Sequence, residues 1–182
     1  MTKFQKCLLP LLLLPALFLT EAQAQRIMLK TNALGWVTGT ANAGAELRLS
    51  RFTTLNIEGL VNPMHIGNYR FHTVALQPEI RYWFEGRPQT HHFVGIMASA
   101  AIYDWRLKDT NHRGDALGLG VTYGYSLVLG KRWSMEATIG AGLLYSREYK
   151  YTDDEGNPGF FNNKGTKLFP LKAGLSFVYI LK

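Results

Sequence analysis

The sequence predicts an all-β protein, a closed antiparallel transmembrane β-barrel of about eight up-and-down strands. Three observations predict it. Apolar residues recur at every second position through most of the chain, which is the period of a strand with two unlike faces. The alternating segments run for roughly 8 to 13 residues, the length that a tilted strand needs to cross a bilayer. The connections between them alternate between short and long.

The N-terminal segment differs from the rest of the chain. Residues 1–6 contain two lysines, residues 7–19 are almost entirely apolar, and Ala22-Gln23-Ala24 follows. The apolar run is shorter than the roughly 20 residues that span a bilayer as a helix. A basic start, a short apolar middle and a small-x-small site predict a secretory signal peptide over residues 1–24, cleaved after Ala24, with a barrel domain over residues 25–182. An N-terminal membrane anchor is the alternative.

Composition restricts the partners. The single cysteine, Cys7, lies in the predicted signal peptide, so the exported domain is expected to have neither a disulfide nor thiol chemistry. The formal net charge of +7 could suggest nucleic acid, but the basic residues are spread along the chain without a clustered patch. We therefore expect no nucleic-acid partner. Outer-membrane lipid and lipopolysaccharide are the expected neighbours.

The first four predicted strands cover residues 26–33, 43–49, 55–61 and 74–84. The first three alternate weakly, whereas the fourth places Val74, Leu76, Ile80 and Tyr82 on one face. Pro78 lies in the middle of this fourth strand, where a missing N–H is unusual, so it predicts a bulge or a local break in pairing.

The last four predicted strands cover residues 94–102, 117–129, 135–145 and 169–181. In residues 117–129, leucine, valine and tyrosine alternate with glycine, threonine and serine. The connections at residues 50–53, 85–90 and 130–133 are short, and those at residues 62–71, 106–116 and 146–166 are long. This asymmetry is typical of periplasmic turns on one side and external loops on the other.

Alternation alone does not show which face of the strands contacts water. A soluble lipocalin-like barrel with the apolar row inside is therefore the alternative. The apolar rows hold many large side chains, and the lumen of an eight-stranded barrel is only just wide enough to be filled by side chains. The opposite rows are mostly glycine, alanine, serine and threonine, which suit a narrow interior. We therefore predict that the apolar rows face lipid, with interfacial girdles that include Trp36, Tyr82, Phe84, Trp133, Tyr145 and Phe169.

Eight charged residues fall on the predicted inner face, four positive and four negative. Burying a charge in a narrow lumen is costly unless the charge is paired and hydrogen-bonded. The balanced set predicts a structural network of ion pairs that plugs the barrel, with a gated pore or proton path as the alternative. The residues are Lys30, Glu46, Arg48, Glu58, Glu79, Arg81, Glu136 and Lys172.

The residues do not predict catalysis. An acyl hydrolase or transferase on a small barrel needs a nucleophile within reach of a histidine. The predicted lipid-facing rows contain no serine and only Thr31 as a hydroxyl nucleophile, while Ser99 and Ser126 are predicted to point inward. We expect a non-enzymatic protein with no catalytic residue and no cofactor.

The histidines do not predict a metal site. His91 and His92 are adjacent and are expected on opposite faces of a strand, and His65, His72 and His112 are expected in or beside loops, as solvated surface residues. The acidic cluster in residues 153–157 lacks the spacing of an EF-hand loop, so it predicts a flexible polar turn.

Four strings in the chain resemble one protein family. They are KTNAL (30–34), NAGAELRLS (42–50), QPEIRYW (77–83) and KRWSMEA (131–137). In combination they resemble domain of unknown function 3575, a family found mainly in Bacteroidetes. The resemblance covers nearly the whole predicted mature chain. It implies an outer-membrane barrel and offers no established activity or site.

The last strand carries a second resemblance. The string KAGLSFVY (172–179) is similar to the C-terminal signal that the barrel assembly machinery reads, with Lys172, Gly174, Phe177 and Tyr179 at the signal positions. This resemblance implies the assembly machinery as a partner during biogenesis. The signal commonly ends the chain at an aromatic residue, whereas three further residues follow here.

Taken together, these features predict a non-enzymatic integral outer-membrane protein with a charge-plugged lumen. Its long connections are expected to meet an unknown surface partner or to serve a structural role. A lipid-modifying enzyme of the acyl hydrolase or transferase type and a narrow channel are the alternatives.

Overall fold

The computed structural model describes residues 26–67, 69–107, 110–152 and 160–181. Within them, eight strands follow one another, each antiparallel to the next, and the last pairs with the first to close a barrel. The predicted all-β class and the eight up-and-down strands are confirmed. The strands are β1 (Ile27–Asn32), β2 (Ala41–Arg48), β3 (Thr53–Ile66), β4 (Tyr69–Trp83), β5 (His91–Leu107), β6 (Thr110–Val128), β7 (Trp133–Thr152) and β8 (Asn163–Ile180).

The two ends of the barrel differ. The end that carries the connections at residues 49–52, 84–90 and 129–132, together with residues 26 and 181, is called the lower end. The opposite end is called the upper end. The predicted signal peptide and the acidic cluster at residues 153–157 lie outside the described residues.

The prediction of long loops at the upper end was wrong over most of residues 62–71, 106–116 and 146–166. Instead the strands continue: β3 pairs with β4 up to Ile66 and Tyr69, and β6 pairs with β7 up to Thr110 and Thr152. The apolar alternation stops along these extensions, but antiparallel pairing satisfies the backbone without it. A reading based on apolar periodicity therefore ends each strand too early.

A short helix, α1 (Ala33–Val37), follows β1 and was not predicted. Asn32 caps it, since its side chain accepts a hydrogen bond from Leu34 N at 3.1 Å, a role for which asparagine is favoured. The same side chain donates to Ala173 O at 3.1 Å and accepts from Leu175 N at 3.2 Å. It thereby extends the β1–β8 pairing beyond the point where the backbone turns away. No helix in the described ranges is long and apolar enough to cross a membrane.

The two faces of the ring are chemically opposite. The outward row is apolar and exposed, with Ile96 at 70%, Leu119 at 67% and Ile139 at 67% relative exposure. The enclosed row is polar and buried, and includes Glu46, Glu79 and many of the serines and threonines. This is the assignment of faces that the sequence predicted.

Two irregularities occur in the ladders. At Pro78 the pairing of β4 with β5 is interrupted and then resumes in the same register, which is the predicted local break. A register shift lies instead opposite Gly140, where Leu171 is the extra residue between Pro170 and Lys172. Both Leu171 and Lys172 therefore point inward. Phe169, predicted in an outer girdle, also faces the lumen because it lies above this shift, opposite Gly142.

Candidate functional site

The lower lumen is closed by apolar side chains. Trp83 and Phe93 are fully buried, and their ring centroids lie 4.7 Å apart. Met28 and Val178, from the two strands that close the ring, are also almost fully buried. These four residues form the floor of the lumen.

Above the floor lies a group of seven buried charged residues, here called the lumen ion cluster. Arg81 is at its centre: Nη1 lies 3.0 Å from Glu46 Oε2 and 3.0 Å from Glu136 Oε1, and Nη2 lies 2.8 Å from Glu79 Oε2. The guanidinium also lies over the Phe93 ring, 4.4 Å from its centroid. The cluster consists of Lys30, Glu46, Glu58, Glu79, Arg81, Glu136 and Lys172.

The two lysines of the cluster each bridge two carboxylates. Lys30 Nζ lies 2.5 Å from Glu46 Oε2 and 2.7 Å from Glu136 Oε2. Lys172 Nζ lies 2.6 Å from Glu58 Oε2 and 3.1 Å from Glu79 Oε2. Since these residues come from β1, β2, β3, β4, β7 and β8, the cluster links six strands through the lumen.

Arg48, the eighth residue of the predicted set, lies apart from the cluster. It is nearer the lower end and only half-buried, and its Nε donates to Ser50 O at 3.1 Å. The cluster therefore contains three cations and four carboxylates instead of the predicted balanced set. Neutral donors supply further bonds to the carboxylates: Thr138 Oγ1 donates to Glu136 at 3.0 Å and Asn56 Nδ2 to Glu79 at 3.3 Å.

Gln89 belongs to this site and was not found from the sequence. It lies in the connection at residues 84–90 with φ of +66°, and it is almost fully buried. Its Nε2 donates to Glu46 Oε2 at 2.9 Å, and its backbone carbonyl accepts from Ser126 Oγ at 3.1 Å. A turn thus inserts a side chain into the lower lumen. A single glutamine between two strands gave no sign of this role.

An open cavity of about 530 Å³ lies above the ion cluster. At its upper rim Glu148 accepts from Tyr103 Oη at 3.0 Å and from Asn163 Nδ2 at 2.5 Å, and its Oε2 lies 3.2 Å from His112 Nδ1. The expectation of a solvated loop histidine was wrong for His112, since the extension of β6 carries it into this half-buried group.

The other predicted residues lie elsewhere. His65 and His72 are exposed on β3 and β4. His91 and His92 both contact the Tyr125 ring, at 5.9 and 4.8 Å between centroids, so the expectation of opposite faces was wrong. The φ of +55° at His91 explains the departure. Among the described residues, no group of three or more histidine, cysteine or acidic side chains could hold a metal ion.

The hydroxyl residues and the proposed assembly signal are placed as follows. Ser99 and Ser126 are buried in the enclosed row, and Thr31 Oγ1 accepts from Trp36 Nε1 at 2.7 Å. In the last strand, Phe177 points outward and Tyr179 packs on Trp133 at 4.9 Å, while Lys172 and Gly174 face the lumen.

Comparisons with known proteins give one match. A family model described as a protein of unknown function, DUF3575, matches residues 10–181. Neither the curated proteins nor the solved structures contain a match to the chain.

Proposed function

The chain belongs to the DUF3575 family of proteins of unknown function, and from its own structure we propose that it is a non-enzymatic integral outer-membrane protein. In this proposal the barrel is embedded in lipid and its lumen is closed. The observation that carries the proposal is a continuous apolar band around the outside of a ring whose interior is charged.

The height of the band matches a membrane. On β6, every outward side chain from Leu127 to Leu117 is apolar or aromatic, and Asp115 follows. At about 3.3 Å per residue this run measures about 33 Å, which corresponds to about 25 Å along the barrel axis when the strands tilt by about 40° from it. The apolar band of outer-membrane barrels is about 25 Å tall.

Aromatic side chains mark the lower edge of the band. Phe52 stacks on Tyr82 at 5.9 Å, and Tyr82 contacts Phe84 edge-on at 5.8 Å between ring centroids. On the opposite side of the barrel, Trp133 packs on Tyr179 at 4.9 Å. Such amphipathic rings favour the boundary between lipid and water.

Outward ion pairs mark the upper edge. Arg147 Nη2 lies 2.9 Å from Asp115 Oδ2, and Arg70 Nη1 lies 3.4 Å from Asp104 Oδ2. Charged side chains on the lipid face cost about 2–4 kcal/mol at the bilayer midplane and little at the interface. The apolar band therefore ends at these ion pairs, and the strand extensions beyond them are exposed to solvent.

A closed lumen favours a structural or surface-interaction role over transport. The floor and the lumen ion cluster fill the lower lumen, and charges buried in this way are stable only while they remain paired. We propose that residues 1–24 are removed on export and that the assembly machinery reads Lys172, Gly174, Phe177 and Tyr179. The upper strand extensions would then present a surface to a partner on the outside of the cell.

Fractionation combined with surface proteolysis tests this function. The full precursor is expressed in a Gram-negative host, outer membranes are separated, and intact cells are treated with protease. We expect recovery in the outer membrane, heat-modifiable migration on gels, and cleavage confined to the connection between Thr152 and Asn163. A protein recovered in the soluble periplasmic fraction would contradict the proposal.

A further inference from the structure

The wall of the barrel is incomplete at its upper end. The last β1–β8 pair is Asn32 with Ser176, and the last β2–β3 pair is Ala41 with Val61. Beyond these points β8 continues to Asn163 and β3 to Ile66. Within the described ranges, only six strands therefore form the upper wall, and a gap two strands wide, here called the side gap, separates β8 from β3.

The side gap begins within the apolar band. Leu168, on the part of β8 that borders the gap, is 78% exposed and outward. At the base of the gap, α1 exposes Leu34, Trp36 and Val37, at 47, 57 and 85%. Apolar side chains surround the opening on the outside, so the gap faces the leaflet nearest the upper end.

The cavity of about 530 Å³ lies behind the side gap. Strands β3 to β8 supply all of the described side chains that line it, and none comes from β1 or β2. Leu60, Ala101, Ala116, Leu144 and Leu171 make its lower part apolar. This volume is within the range of about 300–1,000 Å³ of small-molecule sites, so it suits one alkyl chain with a small head.

The free charge at the cavity is positive. Lys167 lines it from the inner row of β8, opposite Leu144, and its ammonium group has no ion-pair partner in the described part of the chain. Lys164 lies at the rim on the outward row, opposite Arg147. Glu148, above the apolar band, is already engaged. Burial acts to raise the pKa of Glu148, but the hydrogen bonds from Asn163, Tyr103 and His112 hold it below its ordinary value. Lys167 is thus the cation on the inner row of β8 that is available to an anionic ligand.

We propose that this cavity binds a single-chain anionic amphiphile, with its tail on the apolar lower part and its phosphate or carboxylate head on Lys167. The side gap opens the site toward the outer leaflet. This part of the inference rests on the proposed function, because it requires the barrel to lie in the outer membrane. Two interactions would contribute to the binding free energy: burial of the alkyl chain against the apolar lining and a charge-assisted hydrogen bond to the head group.

Binding of a fluorescent probe tests the tail site. The full mature chain is inserted into nanodiscs of zwitterionic lipid and titrated with 11-(dansylamino)undecanoic acid. Ala101→Phe fills the cavity from β5, and Ala100→Phe is the matched control, because Ala100 points outward on the same strand. We expect saturable binding by the wild type and by Ala100→Phe, and at least a tenfold loss of affinity in Ala101→Phe. Equal affinity in all three proteins would overturn the inference.

A second comparison tests the head site. Lys167→Gln should weaken binding of the carboxylate probe on the order of tenfold, the usual effect of losing a hydrogen bond to a charged group. The uncharged amide of the same probe should bind both proteins alike, and Lys131→Gln, in a lower turn, should change nothing. Displacement by a lysophosphatidic acid or by a fatty acid shows whether a phosphate or a carboxylate is preferred. An amide that binds the wild type as well as the acid would overturn the assignment of the head site.

Heat-modifiable migration is measured on the same nanodisc samples. A barrel that inserts but binds no probe contradicts this inference and leaves the proposed function intact. A chain that does not insert contradicts the proposed function itself.

Discussion

Arg81 donates through Nη1 to both carboxylate oxygens of Glu136, at 3.0 Å each, and so ties β4 to β7 across the lumen. The same guanidinium reaches Glu46 and Glu79. One side chain therefore links strands that are not neighbours in the ring. Its removal would take one cationic partner from each of three buried carboxylates.

We expect Arg81→Met to destabilise the barrel by about 3–5 kcal/mol, the usual cost of breaking a buried ion pair from one side. The measurement is equilibrium urea unfolding of the barrel in lipid vesicles. Arg48→Met is the matched control, because Arg48 lies outside the cluster, and it should change the free energy of unfolding little. Equal losses in the two variants would show that the cluster contributes nothing particular to stability.

The proposed membrane band predicts a depth dependence on the outer face of β6. Val121→Arg places a charge near the middle of the band and should cost about 2–4 kcal/mol of folding free energy in vesicles, whereas Leu127→Arg, near the lower edge, should cost about 0–1 kcal/mol. Val121 and Leu127 are both exposed outward, so side-chain packing does not distinguish them. Two equal effects would argue against an embedded barrel.

The closed lumen predicts the absence of a steady conductance. In planar bilayers the wild-type protein should give no current steps, because Trp83, Phe93 and the lumen ion cluster fill the lower lumen. Incorporation into the bilayer is verified by protease protection of the same preparation. Regular unitary currents would show that the plug rearranges, and would favour the narrow channel instead.

The sequence predicted the fold where a lipid-facing row imposes strict alternation. Strand β6 was recognised over residues 117–129 because its outer face must be apolar throughout, yet residues 110–116 of the same strand were taken for a loop. Above the band the outward side chains are free to be Asp115 or Arg113, so the periodic signal disappears while the backbone ladder continues.

The candidate site was predictable only in part. Seven buried charges could be named because each lies on the polar row of a recognisable strand, whereas the group around Glu148 lies on strand extensions without that pattern. The inward position of Phe169 depends on the extra residue Leu171 in β8. A register shift of one residue exchanges the two faces of a strand, and composition does not reveal it.

The placement of α1 at the side gap predicts a disulfide. A Cβ added at Gly39, just after α1, would lie 3.9 Å from Met64 Cβ on β3, which is within the usual range for bonded cysteines. We expect Gly39→Cys with Met64→Cys to oxidise readily, although φ of +70° at Gly39 costs a side chain about 1–2 kcal/mol. Non-reducing gels with thiol blocking measure the bond.

The matched control for this pair is Gly67→Cys with Met64→Cys, because a Cβ at Gly67 meets nothing within 4 Å. Since Cys7 lies in the proposed signal peptide, the exported chain has no competing thiol. A bond that forms only in the Gly39 pair places the segment after α1 against the upper edge of β3, at the border of the side gap. Equal oxidation of both pairs would mean that this segment does not hold the position described here.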